Sequence, residues 1–305
     1  MKKQFYSHGK IILSGEYAVL DGAWAIALAT RKGQSMEVEK TNNRHHLHWK
    51  SYDEHGEIWF ESIFSSPSLE ILCSTDLQIA EILKQLLLQM QRCNKNISLK
   101  WTGTLVKTYL EFPASWGLGS SATLLSNLSQ WLEIDPYKLS DKSFGGSGCD
   151  ISCSLLGQSI LYRLQSSKRY IKPIRFEPSF SEELFFLHLN KKKNTRSAIS
   201  NYTSKKKHIE AIRRLSDISL AIVHCQDFDK FKKLVNEHEQ IIAKILSVSP
   251  LKKSLFKDYP DTIKSLGAWG GDFALITRTE NMESYFKSRG YCTLIPFKEF
   301  ILNEK

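Results

Sequence analysis

At 305 residues, 42% hydrophobic and 24% charged, the chain has the make-up of a folded protein with room for two packed domains, not that of a disordered or membrane one. No apolar run approaches the roughly 20 residues of a bilayer-spanning helix. Met1–Phe5 is not followed by the apolar stretch of a secretory leader, so a cytoplasmic protein with no membrane partner is expected. The excess of 42 basic over 32 acidic residues, net +10, suits nucleic acid, an anionic surface or a phosphorylated small molecule. Basic residues cluster over Asn190–Arg214 with Tyr202 the one Phe, Tyr or Trp among them, a poor platform for stacking single-stranded bases; a small anionic partner and no nucleic acid are expected.

Along the first 60 residues, short apolar runs alternate with turn signals. KIILSG reads as a strand then a turn, AWAIALAT as a buried strand, and QSMEVEK and HHLHWKS as alternating strands. His45, His46, His48 and His55 match no metal-ligand spacing and read as surface. Residues 76–93 carry helical apolar spacing, with Asp76 placed to cap the first turn. Residues 96–106 read as a strand. A helix is predicted from about Ser120 to Glu133, ended by Pro136. The glycine turn FGGSGCD leads into a short helix, ISCSLLGQ, and SILYRL returns to strand.

From about Ser181 a new series begins. ELFFLHLN reads as a strand, Lys206–Asp217 as a helix and Phe228–Ser247 as a longer one. A third glycine turn, SLGAWGGD, joins a strand at Phe273–Thr277, and a short helix and the strand CTLIPF follow. Helices and strands alternate, so the class is α/β or α+β, with domains expected at 1–178 and 179–305. The six cysteines are scattered and suggest no disulfide framework. The sequence leaves a homodimer open.

The segment Gly117-Leu118-Gly119-Ser120-Ser121-Ala122 has the chemistry of an anion cradle. Amides at a helix start converge on an anion and the dipole favours it, while glycines keep side chains out of the way. Gly119 is followed by Ser120 and no lysine, so the Walker A pattern fails. G-x-G-x-x-A matches a dinucleotide fingerprint, but Glu133 and Asp135 end the helix and no strand precedes them. Upstream, Lys10 and Glu16 stand six apart around a strand and turn, an even spacing that returns a strand to the same face. Asp150 opens a helix, where the dipole favours an ionised carboxylate, although an ordinary cap has the same signature.

Taken in order, GKIILSGEYAVLDG, PASWGLGSSA and SLGAWGGD resemble the three motifs of the GHMP kinases, among them galactokinase, homoserine kinase, mevalonate kinase and phosphomevalonate kinase. GSGCDIS further resembles the GYDIA signature of a bacterial subgroup, with Cys149 for tyrosine and Ser152 for alanine. The resemblance spans residues 9–277. It implies an N-terminal domain with a left-handed βαβ crossover and a C-terminal ferredoxin-like α+β domain. The implied activity is ATP-dependent phosphorylation of a small anionic acceptor, first mevalonate. Phosphomevalonate kinase, a diphosphomevalonate-decarboxylase-like enzyme and a catalytically weak ATP-binding module are the alternatives.

By the same resemblance Pro113 and Gly117–Ala122 hold the ATP phosphates, and Ser121 contacts Mg²⁺. Asp150 is the base and Lys10 its neighbour. Glu16, Tyr17, Thr195, Arg196, Gly270 and Gly271 line the acceptor, with Tyr17 replacing a histidine. The second magnesium ligand is unassigned; Asp141 is the nearest carboxylate upstream of Asp150. Trp269 stands where glycine is usual in the third motif.

Overall fold

A computed structural model describes residues 2–42, 45–94, 97–138, 146–191, 195–205, 209–269 and 271–303. The chain forms two compact units, each assembled from separated segments. The first comprises Met1–Gly9, Lys32–Ala114 and Gly119–Leu155; the second comprises Lys10–Arg31, Ser115–Leu118 and Leu156–Lys305. Lys10–Arg31 and residues 156–178, which lie before the boundary expected near 178, therefore cluster with the C-terminal residues. Strands β1 (Lys2–Ser14) and β2 (Ala25–Lys40) each run through both units.

In the first unit β3 (His46–Tyr52), β4 (Ile58–Ser65) and β5 (Ile71–Ser74) precede helix α1 (Leu77–Cys93), the single turn α2 (Ser98–Trp101) and β6 (Thr104–Leu110). Helices α3 (Ser120–Leu132) and α4 (Cys149–Leu156) follow. The sheet runs β5-β4-β3-β6-β2. Only the β3–β6 pairing in it is parallel, and β4, β5, α1 and α2 make the crossover between those strands. β3 and β6 alternate buried and half-buried positions, as strands covered on one face must.

The helices cover that face. Ala80, Leu83, Leu86, Leu87 and Met90 form the stripe of α1, and Leu125, Leu128, Trp131 and Leu132 that of α3, against Trp49, Phe60, Phe64 and Val106. Each leucine so buried contributes roughly 2 kcal/mol. Asp76 caps α1 as its spacing implied, accepting from the Gln78 and Ile79 amides at 2.9 and 3.0 Å. The reading of residues 96–106 as one strand is corrected. Trp101 is fully buried at the end of α2, and Gly103, at φ 59°, turns the chain before β6 begins.

In the second unit β7 (Ile160–Gln165) and β8 (Lys168–Pro173) form a hairpin whose first strand pairs with Ala25–Ala27. Next come β9 (Leu184–His188), α5 (Thr195–Thr203), α6 (Ile209–Val223), α7 (Phe228–Leu246) and α8 (Leu251–Leu255). The unit closes with β10 (Ile263–Ser265), β11 (Phe273–Thr277), α9 (Met282–Lys287), β12 (Leu294–Pro296) and α10 (Phe297–Phe300). Strands β10-β11-β9-β12 make an antiparallel sheet. Its chain order, βαββαβ with the first and third strands central, is the ferredoxin-like arrangement. β9 and β11 are buried along their whole length, as central strands covered on both faces are.

The polar residues of α3 anchor it. The Asn127 side-chain amide donates to the Gln34 carbonyl at 2.9 Å while its oxygen accepts from the Ser7 hydroxyl at 2.8 Å. Thr123 donates to the Gln34 side chain at 2.7 Å. All four residues are buried, so their groups have no water to fall back on. Asn127→Leu, which keeps volume but removes the donor to the Gln34 carbonyl and leaves the Ser7 hydroxyl to Ser126 and Gln130, is expected to cost about 1–3 kcal/mol in urea denaturation. A loss below about 0.5 kcal/mol would show that these bonds carry no net stability.

Candidate active site

The three glycine motifs meet within the second unit. Lys10, half-buried on β1, donates its backbone N–H to the Leu118 carbonyl at 2.9 Å, which ties the first motif to the loop. Gly117 has φ 67°, and a β-carbon placed on it would lie 2.4–2.8 Å from the Asp272 carboxylate atoms. Only glycine allows that backbone angle together with that approach. Asp272 itself holds φ 55°, with its N–H on the Lys191 carbonyl at 2.7 Å and its carbonyl accepting from Leu189 at 2.8 Å. The second and third motifs, about 150 residues apart in sequence, are thus in van der Waals contact.

The first and third motifs join through Trp269. Its backbone N–H donates to the Tyr17 hydroxyl at 3.1 Å, and its indole N–H donates to Glu16 Oε1 at 3.1 Å. The bulk that replaces the usual glycine therefore packs against the first motif. Tyr17 holds φ 61°, a strained angle for a residue with a side chain, and stacks on Tyr202 at 5.4 Å. Burial pushes the Tyr17 hydroxyl up to about 12, the Glu16 and Asp272 charges adding to it against the Trp269 hydrogen bond, so it is a neutral phenol at physiological pH.

Beneath this turn lies a buried charge cluster. Lys264, with no solvent exposure, donates to Glu16 Oε1 at 2.7 Å and to the Ser265 carbonyl at 2.8 Å. Burial drives the Glu16 carboxyl up; neighbouring His238, the Lys264 ammonium and the Trp269 indole together leave the group below the usual carboxylate range. Glu239 is held above that range by burial, although it accepts from the Ser265 amide at 3.0 Å, the Ser265 hydroxyl at 2.8 Å and the Leu251 amide at 3.3 Å. His238 Nε2 accepts the Gly15 N–H at 2.9 Å, so its proton is on Nδ1 and the ring is neutral. Its 3.5 Å approach to Glu16 Oε2 is accordingly not an ion pair. Burial lowers the imidazole to about 4.

Glu16 is thus spent on Lys264 and Trp269 and is nearly inaccessible, a supporting position. The parity argument linking it to Lys10 does not apply, because β1 ends at Ser14 and Gly15 turns the chain at φ 76°. Gly271 is buried beside Asp272. Thr195 and Arg196 open α5; Gly270 and Asp141 lie outside the described residues.

The first unit carries the remaining candidates. Gly119, at φ 81°, is the cap of α3, and Thr123 N–H makes the first helical bond back to it at 2.9 Å. The amides ahead of Thr123 have no partner within the helix. Ser121 is exposed, Ser120 and Pro113 half-exposed, and Ala122 buried. Asp150 is half-buried in the first turn of α4, its Oδ1 accepting from Ile151 N–H at 3.0 Å. Gly146 and Gly148 lead into that turn at φ 90° and 78°.

No protein-family model matches the chain, and no curated protein matches its sequence. Solved structures do match. The Lin0012 protein of Listeria innocua superposes with a TM-score of 0.71 at 19% identity, over 98% of this chain and 97% of that one. Mevalonate kinase of Methanococcus jannaschii gives 0.62 at 18% identity, over 95% and 94%. Streptococcus pneumoniae phosphomevalonate kinase, in complex with phosphomevalonate and AMPPNP, gives 0.67 at 15% identity, over 94% and 95%. The chain has the GHMP kinase fold.

Within that fold the sequence motifs pointed to Lys10, Tyr17 and the glycines but missed Asp272, Lys264, His238 and Glu239. His238 and Glu239 fall on the apolar stripe of α7 with Phe231, Leu234, Val235 and Ile242, a 3–4 spacing that marks them as buried polar residues. Lys264 is a lone charge in a short strand, with no comparable signal.

Two outcomes test this geometry. Gly117→Ala should destabilise the protein, and Asp272→Ala in the same chain should recover the steric part while leaving about 1 kcal/mol of backbone strain. Strict additivity in a double-mutant cycle would show that the two residues do not press on each other. His238 binds its proton more weakly folded than unfolded, so its contribution is complete above pH 6.5 and is lost as pH falls toward 4, about 3 kcal/mol in all. His238→Gln, which can still accept from Gly15, should flatten urea stability across that window; an unchanged slope would mean the histidine does not titrate there.

Proposed function

We propose that the protein is an ATP-dependent small-molecule kinase transferring the γ-phosphoryl group to a short anionic acceptor, mevalonate first and phosphomevalonate second. The observation that carries this reading is the meeting of the three glycine motifs, with Gly117 against Asp272 and Lys10 tied to Leu118, in a chain of GHMP kinase fold. Support for ATP comes from the AMPPNP complex of the pneumococcal phosphomevalonate kinase.

In this reading Gly117–Ala122 and Pro113 hold the ATP phosphates, the free amides at the start of α3 donating to their oxygens. Asp150 takes the proton of the acceptor hydroxyl, whose oxygen bonds to the γ-phosphorus as the bond to the ADP oxygen breaks. Lys10 offsets charge on the transferring group. Tyr17, Thr195, Arg196, Gly270 and Gly271 face the acceptor, and Glu16 fixes Tyr17 and Trp269 from beneath.

No group of three histidine, cysteine or carboxylate side chains able to hold a metal occurs among the described residues. A single exposed serine at the phosphate loop nevertheless suits Mg²⁺, which keeps several waters and binds through one or two protein ligands and the phosphates. Ser121 would hold it, and the ion would neutralise phosphate charge.

ADP release is to be measured with mevalonate, phosphomevalonate, homoserine and galactose. Turnover with at least one anionic acceptor is expected; ATP binding without turnover on any would end the kinase reading. Asp150→Asn should lower mevalonate turnover at least 10²-fold with AMPPNP affinity retained, and Ser121→Ala should raise the Mg²⁺ concentration needed for half-maximal rate. A near-normal Asp150→Asn rate would remove Asp150 from the mechanism.

A further inference from the structure

The basic cluster of the sequence is only partly used by the fold. Arg214 gives Nε and Nη2 to Glu237 at 2.6 and 2.7 Å. Its neighbour Arg213 makes no hydrogen bond or ion pair to another described residue, and it lines a cavity of about 540 Å³ in the second unit. Such a volume is in the range that holds small ligands.

A second guanidinium enters the same cavity from β7. Arg163 donates Nε to the Gly22 carbonyl at 2.7 Å and lies 5.8 Å from the Trp24 ring centroid, so its head group is held in place. Its two Nη groups have no hydrogen-bond acceptor among the described residues. Asp21, the carboxylate of the wall, accepts the Tyr202 hydroxyl at 2.5 Å. Two guanidinium groups against one carboxylate leave the cavity net positive. Ser216 adds a hydroxyl, which accepts from Trp24 N–H at 3.1 Å. Ile209, 80% exposed, and the half-buried Ile212 supply an apolar wall facing water.

We infer that this cavity is a second ligand site, for a small phosphorylated molecule with a short aliphatic body. Arg163 and Arg213 take the phosphate, a pairing that the planar five-donor guanidinium favours over a point charge. Ile209 and Ile212 cover the aliphatic part. The cavity borders the first glycine motif through Asp21 and Gly22, but none of its lining residues is among those assigned to nucleotide, metal or acceptor, so its occupancy does not depend on the kinase reading.

The probes are pentyl phosphate and inorganic phosphate, titrated by calorimetry into the full-length protein with AMPPNP saturating, so that the phosphate loop is not the binding site. Pentyl phosphate is expected to bind one-to-one and more tightly than inorganic phosphate. Arg213→Ala and Arg163→Lys should each weaken it at least tenfold with AMPPNP affinity unchanged within twofold. Because Arg213 is exposed and unpaired, its removal leaves the fold intact, which circular dichroism checks. No pentyl phosphate binding by the wild-type protein, or binding that both variants leave unchanged, overturns the proposal. The same titration without AMPPNP reads the site even if the nucleotide does not bind.

Discussion

The Lys264 ammonium, sealed from solvent and bonded to Glu16, is the constraint around which the second unit is arranged. A charge in such a place is tolerated only when its partner is fixed and hydrogen-bonded; removing either partner of a buried pair costs about 3–5 kcal/mol. Glu16 answers Lys264, Trp269 binds Glu16, and Tyr17 receives the Trp269 backbone. The requirement to keep one cation paired therefore sets where the first and third motifs stand. Neighbouring His238 stays neutral, and so spares the cluster a second buried cation.

Asp272 plays the matching part at the phosphate loop. Its carboxylate occupies the space a side chain at Gly117 would need, so the glycine is demanded by a neighbour as well as by its own torsion angle. A negative group directly behind a loop read as an anion cradle raises the demand for compensating positive charge in front of it. Lys10, whose main chain is bonded to Leu118, belongs to the same motif contact.

Much of this was legible in the sequence wherever the signal is local. Asp76 with the α1 stripe, the start of α3 at Ser120, α7 from Phe228 and β11 at Phe273–Thr277 follow from capping, periodicity and turn residues. Long-range contacts were not legible. Trp101 pulls a stretch with strand-like composition into a helical turn because its ring fills the first unit's core. AWAIALAT and QSMEVEK, which read as separate strands, are one continuous β2. Periodicity marks His238 as buried, but its partner Gly15 is 223 residues away, and no spacing rule reaches that far.

The interleaving of the two units has a practical side for anyone dissecting the protein. A fragment cut at residue 178 carries the whole ferredoxin-like sheet yet leaves behind Lys10–Arg31 and both strands of the β7–β8 hairpin. Lys264 would then lack Glu16, Ser219 its Ser14 bond and Trp269 its hydrogen bonds to Tyr17 and Glu16. Such a half-protein would begin life with an unanswered cation in its interior. The shortest piece that keeps that charge answered must include a strand from near the opposite end of the chain.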